Sequence, residues 1–198
     1  MKTLYGLVLA GGRSSRMNKD KAALNFHGIT QVEYCYGLLA LLAEKVFVSN
    51  RPDQQQDLLQ KKFPQIHDEP HFVGAGPLAG ILSAQHKYPE AAWLVLACDL
   101  PFVDRNTLDF LIAQRDPQKL ATAFTSAHDK LPEPLCAIYE AHSAKALLSY
   151  LMDGQKCPRK FMIKHDVKLL ELPDKMALDN INTPEELATA QEYLKSKK

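Results

Sequence analysis

Two stretches of this sequence carry residue types that could do chemistry. The first is residues 9–21, Leu-Ala-Gly-Gly-Arg-Ser-Ser-Arg-Met-Asn-Lys-Asp-Lys. Here Gly11 and Gly12 are followed by Arg13, Arg16, Lys19 and Lys21, four positive charges in nine residues. A glycine pair lets backbone N–H groups approach an anion closely, because no Cβ stands in the way. Donors and positive charge without a hydrophobic wall suit a polyphosphate. A glycine turn carrying solvated basic residues is the alternative. The second stretch is Cys98-Asp99-Leu100-Pro101, an acid set directly behind the most apolar run of the chain. A divalent cation held between Asp99 and a bound phosphate reconciles a lone carboxylate with an anion loop, and Mg²⁺ is typically held that way. A plain turn or helix N-cap role for Asp99 is the competing reading.

The basic loop matches neither common phosphate fingerprint. It lacks the Gly-Lys pair of a P-loop and the Gly-x-Gly-x-x-Gly of a dinucleotide fold. A second glycine cluster, Gly74-Ala-Gly76-Pro77-Leu-Ala79-Gly80, has no strand directly before it. Proline at a first helical position, followed by small residues, predicts a helix start that lies close to backbone or to a flat ligand such as a purine base.

These stretches need elements to position them. Residues 4–10 read as a buried parallel strand that ends at the glycine pair. Residues 22–26 are short and extended, with a turn at His27-Gly28. Thr30 and Glu33 have capping-box spacing before a helix to Leu41. Residues 45–49 form a second strand ending at Asn50, a polar helix runs to Lys62, and 65–67 is a short third strand stopped at Asp68. Residues 93–97 are the central strand, delivering Asp99 to the carboxyl edge where open α/β sheets bind ligands. Asp104 caps a helix to Gln114. Residues 120–125 and 135–139 are further strands, the latter with Glu133-Pro134 as a rigid lead-in or plain turn. A helix over 141–152 stops at Asp153-Gly154. Pro158-Arg159-Lys160 opens a short basic stretch that could face a second anionic ligand. Residues 167–172 form a last strand. After Asn180 and Asn182, Thr183-Pro184-Glu185-Glu186 opens a C-terminal helix. Strand–helix alternation predicts an α/β, three-layer Rossmann-like fold, with a mostly parallel central sheet and helices on both faces.

The 198 residues suit one domain, expected over 1–194 with a frayed tail at 195–198. Apolar residues make up 46% and charged residues 24%, ordinary for a soluble globular chain. A net charge of +1 gives no global field for nucleic acid or an anionic membrane, so any anion site is local. Cys35, Cys98, Cys136 and Cys157 lack metal-site spacing and read as buried thiols of a reducing compartment. No leader and no run of membrane-spanning length is evident, so a cytoplasmic location is expected.

Taken together, Leu9-Ala-Gly-Gly12 with Ser14-Ser-Arg-Met17 and Asp20-Lys21, Gly76-Pro-Leu-Ala-Gly80, Cys98-Asp-Leu-Pro101 and Asn180-Ile-Asn-Thr-Pro-Glu185 resemble the MobA-type molybdenum cofactor guanylyltransferases. Four ordered motifs span nearly the whole chain. The loop departs from the family pattern at Asn18, where glycine is usual, and asparagine tolerates positive φ better than most residues. The resemblance implies transfer of GMP from GTP to the terminal phosphate of molybdopterin, with Mg²⁺ and release of pyrophosphate. Leu9, Ala10, Gly11 and Gly12 would meet the guanine nucleotide. Asn50, Asp68, Gly76 and Pro77 would complete its site, and Lys21 would contact phosphate. Asp99 would be the Mg²⁺ ligand. Arg16 and Lys21 would relieve repulsion between two polyanions, and Asn180 and Asn182 would position substrate or metal-bound water. The Leu-Ala-Gly-Gly pattern is associated with GTP, whereas cytidylyltransferase relatives tend to carry Leu-Ala-Ala-Gly. Other outcomes kept open are cytidylyl transfer, transfer to a sugar phosphate, and a catalytically silent nucleotide-binding module. No nucleic acid or membrane partner is implied. Transient contact with proteins that deliver molybdopterin or mature molybdoenzymes would fit the chemistry.

Overall fold

The computed structural model describes residues 3–11, 25–51 and 61–181. Within these, seven strands form one sheet: β1 (Leu4–Leu9), β2 (Lys45–Asn50), β3 (Gln65–His67), β4 (Ala92–Ala97), β5 (Ala121–Thr125), β6 (Pro132–Tyr139) and β7 (Lys168–Glu171). Their order is β3-β2-β1-β4-β6-β5-β7. β1 lies parallel between β2 and β4, with Leu9 opposite Ser49 on one side and Ala97 on the other. β6 is antiparallel to both of its neighbours. The sheet is therefore mostly parallel with one reversed strand, as expected for its class.

Among the described residues five helices cover the two faces: α1 (Gln31–Ala40), α2 (Pro77–Lys87), α3 (Arg105–Ala113), α4 (Ser143–Met152) and α5 (Pro158–Lys164). Alternating residues of the strands feed two cores. Leu7, Phe47, Trp93, Val95 and Tyr139 pack with Leu78 and Ile81 of α2, Leu147 of α4 and Phe161 of α5. Val8, Val48, Leu94 and Leu96 pack with Val32 and Leu39 of α1 and Leu108 of α3. β4 is buried along its whole length, as a central strand covered on both faces must be.

The local signals that predicted helix starts operate as expected. The Thr30 backbone N–H donates to Glu33 Oε2 at 2.9 Å. Asp104 Oδ1 accepts from the Thr107 N–H at 2.8 Å, which makes Asp104 the cap of α3 and leaves Asp99 in the preceding turn. Pro77 occupies the first turn of α2. Gly76 there has φ 61° and ψ −139°, a backbone that only glycine adopts readily.

Two expectations change. β6 begins at Pro132, so Glu133 and Pro134 lie inside the strand and are not a lead-in to it. The ladder absorbs the proline by an irregularity: Ala123 pairs with Ala137 but Phe124 with Glu133, so residues 134–136 bulge out of register. All four cysteines are free, but Cys157 is exposed because it precedes α5 at the surface; Cys35, Cys98 and Cys136 are buried. The polar helix expected before Lys62 and the helix after Thr183 fall on 52–60 and 182–198, outside the described residues. Among the described residues no helix is long and apolar enough to cross a membrane.

Candidate active site

Parallel register brings the predicted residues at the ends of β1 to β4 to one level of one edge. Leu9 faces Ser49 and Ala97, and Asn50 faces His67. One residue beyond the strands the ladder continues: Ala10 N–H to Ser49 O (3.0 Å), Cys98 N–H to Leu9 O (3.3 Å) and Asp68 N–H to Asn50 O (3.1 Å). Gly11, Arg51, Asp68 and Asp99 therefore follow the ends of four neighbouring strands. Asn50 is fully buried, and its Oδ1 accepts from His67 Nδ1. Burial, with Lys87 nearby, lowers the His67 pKa and favours the neutral ring that such a bond uses. Gly11 lies against the chain at 50–51: a Cβ there would sit 3.5 Å from the Arg51 backbone nitrogen and 3.6 Å from Asn50 Cα. The Arg51 guanidinium donates to Gly11 O, tying the first glycine to the end of β2.

Gly80 resolves the question left by its glycine cluster. A Cβ on it would collide with Ser49 Oγ and stand 3.2 Å from both Ser49 Cβ and Leu9 Cδ2. The small residue is required because α2 crosses the ends of β1 and β2 at close range. Gly76 and Pro77, one turn earlier, are exposed at the same edge.

On the other side of Asp99 opens a cleft of about 790 Å³. Its walls are the turn at 99–102, the β5–β6 connection, the start of β6, Arg159 of α5 and the segment 176–181. Asp99 is half-buried at its margin. The Ile181 N–H donates to Asp99 O at 3.1 Å, which fastens the Asn180 segment beside the carboxylate. The basic stretch at 158–160 is the first turn of α5, and Arg159 reaches into the cleft wall. There it donates to Asp129 Oδ2 and Glu133 Oε2, each at 2.8 Å. On the rim His128 Nε2 meets Asp179 Oδ1 at 2.7 Å, and this bond raises the His128 pKa. Asp129, Glu133 and Asp179 thus each face a cationic or protonatable group. Among the described residues no group of three or more His, Cys, Asp or Glu side chains is placed to hold a metal ion. A cation here would take most of its ligands from substrate phosphates and water, which is how Mg²⁺ is commonly bound.

Of the predicted residues, Leu9, Ala10, Gly11, Asn50, Asp68, Gly76, Pro77 and Asp99 lie along the one edge, and Asp99 and Asn180 line the cleft. Gly12, Arg16, Lys21 and Asn182 lie outside the described residues. Sequence reasoning noted Arg159 only as part of a basic stretch. Its two carboxylate partners are 30 and 26 residues away, and no local signal announces such pairs.

Residues 6–169 match the MobA-like NTP transferase domain. A Synechocystis protein described as molybdenum cofactor biosynthesis bifunctional protein is 38% identical over 183 residues, 92% of this chain. The chain spans about half of that relative's length, 52%. A probable molybdenum cofactor guanylyltransferase of Trichormus variabilis is 34% identical over 96% of this chain and 92% of its own. Another, of Bacillus anthracis, is 30% identical over the full length of both chains. In fold, the crystal structure of molybdopterin-guanine dinucleotide biosynthesis protein A from Archaeoglobus fulgidus aligns with a TM-score of 0.78 at 24% identity, over 97% of this chain and 99% of that one. With its glycine-ended first strand, its edge carboxylate and this domain match over most of its length, the chain belongs to the MobA-like NTP transferase family and is a nucleotidyltransferase.

Proposed function

We propose that the chain transfers GMP from GTP to the terminal phosphate of molybdopterin, releasing pyrophosphate. The observation that carries this reading is the edge itself. Four strand ends present Gly11, Asn50, Asp68 and Asp99 together, and the cleft beyond Asp99 offers room for an acceptor. The guanylyltransferase descriptions of the full-length relatives supply the donor and acceptor.

In this reading Leu9, Ala10 and Gly11 take the guanine nucleotide through backbone groups, with Asn50 and Asp68 completing its pocket. Arg16 and Lys21 hold its phosphates. Asp99 holds Mg²⁺, with Asn180 and Asn182 orienting water or acceptor beside it. Mg²⁺ held by Asp99 would supply positive charge that lowers the repulsion between donor and acceptor phosphates. An oxygen of the acceptor phosphate forms the new bond to the α-phosphorus of GTP. The bond from that phosphorus to the bridging oxygen breaks, and pyrophosphate leaves with the electron pair. A phosphate dianion needs no general base, so the residues here position and neutralise; none has to move a proton. Arg159, already in the cleft wall, exchanges part of its carboxylate pairing for the acceptor phosphate.

Asp99→Ala tests the assignment. It should fold as the parent does and lose about 10²–10³ in Mg²⁺-dependent pyrophosphate release, the usual cost of one electrostatic stabiliser. Turnover at the parent rate would remove Asp99 from the metal site.

A further inference from the structure

The turn that carries Asp99 is gripped from an unexpected side. Four backbone carbonyls in 99–103 each accept a bond from elsewhere. Asp99 O takes the Ile181 N–H (3.1 Å), but the other three are met by side chains of one short segment. Gln31 Nε2 donates to Leu100 O (3.4 Å), His27 Nε2 to Pro101 O (2.9 Å) and Tyr34 Oη to Val103 O (3.1 Å). Gln31 and Tyr34, three apart in the first turn of α1, share a side of the helix. The His27 and Tyr34 rings stack at 3.6 Å with 11° between their planes, which fixes both donors relative to each other. The loop is itself constrained: Gly28 has φ 85° and its N–H donates to Asn25 Oδ1 at 2.8 Å.

Gln31 is the informative member. It is fully buried, yet its Oε1 has no hydrogen-bond partner among the described residues. A buried unsatisfied amide oxygen costs stability, and leucine of similar size would avoid that cost. Its amide nitrogen holds the turn next to Asp99 and also reaches Cys35 Sγ at 3.6 Å. We infer that His27, Gln31 and Tyr34 are positioning residues that set the height and direction of Asp99 for the metal-bound nucleotide. This segment follows the basic glycine stretch in sequence and reaches the turn that carries Asp99 through these three side chains. The inference rests on the reading of Asp99 as the Mg²⁺ ligand.

The test separates position from stability by using Mn²⁺ in place of Mg²⁺, titrated by electron paramagnetic resonance onto the protein saturated with GTP. Gln31→Leu should keep or raise the unfolding temperature while weakening Mn²⁺ about tenfold or more, the range seen when an outer-sphere support is removed. Tyr34→Phe, which keeps the ring stack and deletes only the bond to Val103 O, should move Mn²⁺ affinity in the same direction. His27→Phe should do likewise, and His27→Gln, which restores a side-chain N–H donor, should recover part of the loss. Mn²⁺ affinity within twofold of the parent in Gln31→Leu and Tyr34→Phe would overturn the proposal. So would weakening that merely tracks a falling unfolding temperature. Asp99→Ala in the same titration is the control: if it leaves Mn²⁺ binding unchanged, the metal assignment itself has failed and not only its supports.

Discussion

Replacing Gly80 with alanine pits two effects against each other at the root of the nucleotide edge. Inside a helix, alanine is favoured over glycine by about 1 kcal/mol. Against this stands the collision of the new methyl with Ser49 Oγ, with Ser49 Cβ and Leu9 Cδ2 both at 3.2 Å. Rotating the Ser49 hydroxyl relieves the first contact but not the second, and both Ser49 and Gly80 are buried. Overpacking of this kind costs about 1–3 kcal/mol, and a clash with a strand-borne Cβ belongs near the top of that range. The net expectation is a loss of about 2 kcal/mol. For a chain of this size that corresponds to about 4–8 °C in unfolding temperature. Because Ser49 precedes Asn50 and Leu9 precedes Ala10 and Gly11, the displaced helix should also reduce the added stability that GTP confers. Thermal unfolding with and without GTP reads both effects. An unfolding temperature that holds or rises while the GTP shift disappears would mean that Gly80 meets a ligand and not Ser49. No change in either would refute the packing argument.

At the opposite edge of the sheet, Glu140 is fully buried and takes a two-point bond from Arg115, at 2.6 and 2.8 Å. Arg115→Ala strands that carboxylate and should cost about 3–5 kcal/mol, seen as a large drop in denaturant midpoint with nucleotide affinity intact among the folded molecules; a near-parent midpoint would contradict it. The His128–Asp179 pair gives a pH prediction. Its bond raises the His128 pKa, so its contribution is full below the ordinary histidine value near 6.5 and is lost as pH rises through the raised value. The pair is surface-exposed, so the effect is local. Amide exchange over 176–181, corrected for its intrinsic pH dependence, should quicken above that point in the parent and show no such step in His128→Asn.

The parts of the fold legible in the sequence were those set by local chemistry. The buried run before Gly11 and the acid behind β4 were visible, as were the Thr30–Glu33 box, the Asp104 cap and the proline opening α2. Each depends on neighbours within a few residues. The reversed strand was not visible, because the short apolar run at 135–139 marks a strand without giving its direction, and its partners are chosen by distant backbone. The same holds for Arg159: the sequence offers a basic stretch that could face an anionic ligand, but not the two carboxylates it meets across the cleft wall. Nothing in the sequence singles out Gln31, because the turn at 99–103 that it holds lies some seventy positions away.

The most direct test supplies the protein with molybdopterin, Mg²⁺ and either GTP or CTP, and follows pyrophosphate together with the dinucleotide formed. Guanylyl transfer predicts one pyrophosphate per molybdopterin guanine dinucleotide, a strong preference for GTP, and loss of both products when the metal is chelated. Preference for CTP would move the chain to the cytidylyl relatives, and GTP binding without pyrophosphate release would contradict transfer altogether.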